Sequence, residues 1–178
     1  MRLTEEQYRR AITRNLYELA HARLERFVLV AFDEFESGGP LYFPSDKPFL
    51  EIVFNALFNS MMGHAVKIMD EHSRCASFWA IFRTDEHRIR KLRVFSEEAR
   101  GQITELTKKL KKIRNNTFVH IDRKAVFDPE KVWEDAGITG DEFGRGLSQL
   151  WNILAELHQN VHGRCFRDPC EDYDASDV

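Results

Sequence analysis

The feature that most constrains this fold is the return of apolar residues every three or four positions, in stretch after stretch. No run alternates with the period of two that a strand would need. Tyr8, Ile12, Leu16 and Leu19, continued by Leu24, Phe27, Ala31 and Phe35, form the first such stripe. Leu50, Phe54, Leu57, Met61, Ala65 and Ile68 form a second. Ala99, Ile103, Leu106, Leu110 and Ile113 form a third, and Phe143, Leu147, Leu150, Leu154, Leu157 and Val161 a fourth. Each stripe is one face of a helix that must be covered, so the expected fold is all-α. It reads as an up-and-down bundle of four to five main helices with short connecting helices.

Local signals set the boundaries. Thr4-Glu5-Glu6-Gln7 reads as a capping box opening a helix of about thirty residues, which Gly38-Gly39-Pro40 ends. Pro48 suits the first turn of the second helix. A shorter third helix is expected from Cys75 to Phe82, with Phe78, Trp79 and Phe82 inward. The polar, basic stretch from Thr84 to Val94 is a loop or one more short helix. Ser96 caps the next main helix, with Glu97 and Glu98 at its positive end. A short helix is expected from Asp128-Pro129 to Gly137. Thr139-Gly140-Asp141-Glu142 then opens the last long one, which Gly163 closes. One domain spans residues 1–167, and the acidic residues 168–178 read as a disordered tail.

With 178 residues, 43% of them apolar and 14 of them Phe, the chain can fill a core without staples. Its three cysteines, Cys75, Cys165 and Cys170, do not make a disulfide framework. No signal-peptide pattern or membrane-length apolar run stands out, so the expectation is a soluble, cytoplasmic protein without a membrane partner. The net charge of −3 hides an asymmetry. From Arg83 to Lys124 there are 13 Lys and Arg against 6 Asp and Glu, whereas Ala125 to Val178 carries 4 against 12. That basic segment points to a local anionic partner or, more plainly, to a solvated helix face.

The basic segment leads into the stretch with the most chemistry, Lys108 to Asp122, KKLKKIRNNTFVHID. Arg114-Asn115-Asn116 is followed after three residues by His120. Arg114 offers a planar fork of donors that stays charged, and His120 can carry a proton near neutral pH. Those abilities suit metal-free cleavage of an RNA phosphodiester. Within one helix, however, the two residues lie about 120° apart and roughly 9 Å along the axis, so spacing alone does not join them. An exposed cation and a core or capping histidine would look the same. Two other sets have the residue types of metal ligands. His64 and His72 read as a surface or core pair, and His158, His162, Cys165 and Cys170 as surface histidines with incidental cysteines. No metal and no cofactor is expected.

On this motif, in this helical and basic context, the chain resembles the HEPN superfamily, and within it the HEPN-like family named for phage abortive infection. The superfamily's Arg, commonly followed by a polar residue, then four to six residues and a His, stands here as Arg114 to His120. Asp122, two places after the His, is similar to that branch. So is Asp70 near the end of the second helix, ahead of Ser77-Phe78-Trp79. The resemblance covers residues 5 to 162. It implies a metal-independent endoribonuclease that works as a homodimer, with Arg114 and His120 of two chains completing a composite site.

In that reading His120 is the general acid/base on the ribose 2′-OH or the leaving 5′-oxygen. Arg114 stabilises the transition-state charge. Asn115, Asn116 and Asp122 support the site, and Lys108, Lys111 and Lys112 guide the RNA backbone. An antitoxin or other regulatory protein would restrain such an activity. The Tyr that some members place three residues after the His is absent, since that position is Arg123. Two other classes stay open. One is a non-catalytic RNA- or nucleotide-binding module, and the other an interaction bundle whose basic segment meets an acidic protein.

Overall fold

A computed structural model describes residues 2–36, 48–115, 135–168 and 170. Among them the regular structure is helical, with no strand. Four long helices, α1 (Glu5–Glu36), α2 (Pro48–Met69), α5 (Glu97–Ile113) and α6 (Gly140–His162), frame the molecule. Two short ones, α3 (Phe78–Thr84) and α4 (Glu86–Ile89), link α2 to α5. The chain is an all-α bundle, as the apolar periodicity requires.

The helix starts follow their sequence signals. Thr4 N–H donates to Gln7 Oε1 at 3.0 Å while Gln7 N–H donates to Thr4 Oγ1 at 3.3 Å, a reciprocal capping box. Ser96 Oγ accepts from Ala99 N–H at 3.0 Å, and Thr139 Oγ1 from Glu142 N–H at 3.1 Å. Such a cap contributes about 1 kcal/mol. The Glu142 carboxylate does not complete its own box; it reaches across to Lys109 of α5 at 2.6 Å. Gly163 closes α6 in the left-handed region, at φ 70°, which a glycine adopts without a Cβ penalty.

α1 is the central element, packed against α2 on one side and α6 on the other. Both neighbours run antiparallel to it. Glu18 meets His64 and Lys67 while Glu25 meets Ser60; likewise Arg9 meets Val161 while Arg26 meets Gly140. α6 also lies antiparallel to α5, from Lys109–Glu142 to Gln102–Gln149. The C-terminal ends of α2 and α5 meet on the fourth side, and that meeting builds the site described below.

The core is made by the expected stripes. Ile12, Leu16, Leu19, Ala65, Ile68, Ile103, Leu106, Ile113, Leu150, Leu154 and Leu157 are all at most 1% exposed. Burying a side chain of this size is worth about 1.5–3 kcal/mol. α3 adds Phe78, Trp79 and Phe82, the last stacked on Phe95. α6 approaches α5 closely at Gly146. A Cβ on Gly146 would sit 2.3 Å from Leu106 Cδ2, and Leu106 has no exposed surface into which to move. Gly146→Val is expected to destabilise the fold by about 1–3 kcal/mol or more, read as a lowered urea midpoint. An unchanged midpoint would show that α5 and α6 do not meet this closely.

Four expectations shift. The third helix starts at Phe78 with Ser77 as its cap, because residues 70–77 are taken up by a turn anchored on Asp70. Phe54 of the second stripe is 42% exposed, and Phe49 and Ile52 still more. Among the described residues of α2 the fully buried ones, Met61, Met62, Ala65, Ile68 and Met69, lie in its second half, while Leu57 and Phe58 pack against the core partly buried. His158 is not a surface histidine; it is 1% exposed against Phe166, with its Nδ1 3.1 Å from the Arg164 carbonyl. Asp168 does not behave as tail. It is 9% exposed and accepts from Arg23 at 2.5 Å, while the Arg23 guanidinium lies 4.8 Å above Trp151. Gly38 to Pro40, the loop from Leu41 to Lys47, the helix start at Asp128 and residues 171–178 lie outside the described residues.

Candidate functional site

α5 brings its basic run to the end of α2. Its stripe buries Ile103, Leu106, Leu110 and Ile113, which turns the lysines between them outward. After Ile113 the helix widens into a π-type turn at Arg114 and Asn115. Such widening occurs often at functional positions. The turn carries the Arg114 side chain onto Asp70, the residue after α2, with Nη1 donating to Asp70 Oδ2 at 2.7 Å. Nε and Nη2 both donate to Asn115 Oδ1 at 3.2 Å. The hydrogen bonds among the described residues thus use three of the five guanidinium N–H groups, leaving one on each terminal nitrogen. A terminal guanidinium nitrogen with an N–H to spare can donate it to a phosphate oxygen.

Asp70 is itself held on several sides. Its Oδ1 accepts from His72 N–H at 2.9 Å, its Oδ2 lies 3.6 Å from the Cys75 thiol, and its carbonyl accepts from Ser77 Oγ. Burial alone would raise its pKa. The His72 N–H and the Arg114 guanidinium more than offset that, and the carboxyl is held below its ordinary value. The Cys75 thiol moves the other way, pushed up by burial and then by the Asp70 charge, which makes it a poor nucleophile at neutral pH. With side chains 23% and 19% exposed, Arg114 and Asp70 form a half-buried pair rather than a loose surface contact. Beneath them Trp79 Nε1–H donates at 3.0 Å to Thr107 Oγ1, whose hydroxyl donates in turn to the Ile103 carbonyl at 2.8 Å.

The cleft between Asp70, Glu71, Thr107, Lys111 and Arg114 has a volume of about 10 Å³, room for one water and no nucleotide. A ligand larger than water could therefore meet Arg114 only from outside this cleft. The lysines beside it are all engaged. Lys108 pairs with Glu105 at 2.6 Å, Lys111 with Glu71 at 3.6 Å, and Lys112 donates to the Asp135 carbonyl at 2.6 Å. Lys109, which the sequence did not single out, makes the most protected of these contacts, to Glu142 and to the Gly137 carbonyl. Exposed pairs such as Lys108–Glu105 are worth little and exchange readily with a phosphate. The same charges also complement the helix C-terminus.

Of the residues singled out by the motif, the structure brings together Arg114 and Asn115, and adds Asp70. Asn116, His120 and Asp122 lie outside the described residues. The two alternative metal sets do not assemble. His64 faces Glu18 and Glu25 of α1, whereas His72 accepts from Arg74 N–H. Among the described residues no group of three or more His, Cys, Asp or Glu side chains could hold a metal ion. Nor is any helix among them long and apolar enough to cross a membrane. No family model, curated protein or solved structure matches the chain.

Proposed function

We propose that the chain is a metal-independent endoribonuclease of the HEPN type, with Arg114 and His120 as its catalytic pair. The observation that carries this reading is the state of Arg114. It stands at the end of a basic helix, oriented by Asp70 and Asn115, and its bonds to the described residues leave one N–H on each terminal nitrogen. Asn115 takes the Nε–Nη2 side and Asp70 one Nη1 N–H. A phosphate would be met by the remaining N–H of each terminal nitrogen while the two neighbours hold the plane in place. Since the cleft beside it is too small for a nucleotide, a second copy of the chain completes the site across a two-fold axis. His120 then moves the proton of the 2′-OH, and Arg114 neutralises charge on the phosphorane-like transition state. The reaction needs no metal and leaves 2′,3′-cyclic phosphate ends. A defence or toxin-type role follows from the resemblance, with an antitoxin or regulatory protein as restraint.

The test is cleavage of single-stranded RNA by the full chain in excess EDTA, with end-group analysis and light scattering on the same sample. The expected result is slow cleavage with cyclic phosphate ends by a dimer. RNA bound but left whole would favour instead a non-catalytic RNA- or nucleotide-binding module. A monomer at tens of micromolar that still cleaves would remove the composite site.

A further inference from the structure

On the other side of Cys75 from Asp70 lies a groove of about 460 Å³, open to solvent and walled by the first half of α1 and the turn before α3. Its size falls within the range of small-molecule sites. Leu3, Ala11, Ala76 and Ala80 give it an apolar floor, and Arg10, Arg14 and Arg74 stand around it. No carboxylate is among its described lining residues. The groove is preformed. Buried Asn15 donates to the Ala11 and Ala76 carbonyls at 2.8 and 2.7 Å, fixing the turn against α1. Leu3 N–H donates to Thr84 Oγ1 at 3.1 Å, fixing the other end.

The charge around the groove is available. Arg10 and Arg14 have side chains 80% and 75% exposed, and among the described residues each pairs with a carboxylate four residues away, Glu6 and Glu18. The Arg10–Glu6 pair is exposed on both sides and holds weakly, whereas Glu18 is largely buried and shared with His64 and Lys67, so Arg14 meets only part of its charge. Arg74 is exposed and makes no ion pair with a described residue. Three guanidinium forks over an apolar floor, with no carboxylate in the lining, suit an anion that also carries uncharged surface. A phosphodiester strand has both. Cys75 joins this groove to the Arg114 end, since it lines the groove and its thiol lies 3.6 Å from Asp70, the partner of Arg114.

We propose that this groove is a phosphodiester-binding site, which takes the stretch of RNA next to the linkage held by Arg114, with Arg10, Arg14 and Arg74 gripping its phosphates. The proposal rests on RNA being the ligand at the Arg114 end, but it is read by binding alone. The probe is a short 2′-O-methyl oligonucleotide, which has no free 2′-OH and so is held without being cut. Its affinity for the full chain is measured by fluorescence anisotropy across a salt series.

The triple variant Arg10→Gln, Arg14→Gln, Arg74→Gln is expected to bind roughly 100-fold more weakly at low salt. The slope of log affinity against log salt should shrink by about 2, since each phosphate of a single strand that an arginine neutralises adds about 0.7 to it. Arg145→Gln, on the exposed side of α6, serves as control and is expected to leave both unchanged. Circular dichroism reports whether the triple variant keeps its helices. If it does, and binds like the wild type, the groove is not the site. Equal competition by poly-glutamate, lost in the same variant, would overturn the phosphodiester as ligand in favour of an acidic protein. Binding that depends on the three arginines in a chain that leaves unmodified RNA whole supports the groove while removing the ribonuclease reading. Cleavage of RNA by wild type and triple variant alike, at equal KM, does the reverse.

Discussion

His120→Ala is expected to lower RNA cleavage by at least about 100-fold while helix content and dimerisation stay near those of the wild type, as when a proton-transfer group is lost. Arg114→Ala is expected to be as damaging. Arg114→Lys should recover little, and the geometry around Arg114 says why. Among the described residues the guanidinium satisfies Asp70 and Asn115 with three N–H groups, which leaves a fourth and a fifth. An ammonium on a shorter reach has three donors in all and cannot hold both neighbours while gripping a phosphate with a planar edge. Mixing the two single mutants adds a test of the shared site. Heterodimers should regain part of the activity where one composite site keeps an intact Arg and His from opposite chains. A core role for His120 would read differently, as a lowered melting temperature with loss of helix and function together. Wild-type rates in either pure mutant would remove the chemistry from these residues.

What the sequence makes legible is the part of the fold written in local spacing. The reciprocal bonds of Thr4 and Gln7, the Ser96 cap, the left-handed Gly163 and the buried stripe of α5 all depend on residues within one or two turns of each other. The contacts that shape the candidate site do not. Asp70 and Arg114 are 44 residues apart. Nothing in either segment's own pattern joins them; the sequence shows only an acid at the end of one helix and a base at the end of another. The same holds for Arg10, Arg14 and Arg74, each of which reads alone as a solvated charge until the turn at 73–76 folds against α1. Burial escapes the local pattern for a related reason. His158 and Asp168 are polar residues, yet Phe166 covers His158 near the end of α6, and Arg23, stacked on Trp151 midway along it, holds Asp168. Phe54 reads as inward because a stripe says which face is apolar, not how far along the helix its neighbours extend.

Asp70→Asn separates orienting charge from simple shape, and its effect is expected to be the second largest. The carboxamide can still accept from His72 N–H, so the turn at the end of α2 keeps its form. What disappears is the charge that fixes Arg114. Cleavage should fall at least about tenfold, through the rate of the chemical step with KM nearly unchanged, because Arg114 then spends less time in the orientation that the transition state needs. Folding stability should fall by about 1–3 kcal/mol, the usual cost of losing a charge-assisted hydrogen bond in a half-buried setting.

The pH dependence gives an independent reading. The folded Asp70 carboxyl titrates below its ordinary value, so the unfolded chain takes up its proton first as the pH drops. The stability it contributes is therefore complete above the unfolded value, about 3.9, and is lost as the pH falls through the lower folded value. The wild-type melting temperature should decline over that window more steeply than that of Asp70→Asn, and the two curves should converge at its acid end. Parallel curves would mean that the Asp70–Arg114 pair holds nothing in solution. In that case Arg114 would be a mobile surface cation, and the observation on which its catalytic assignment rests would be gone.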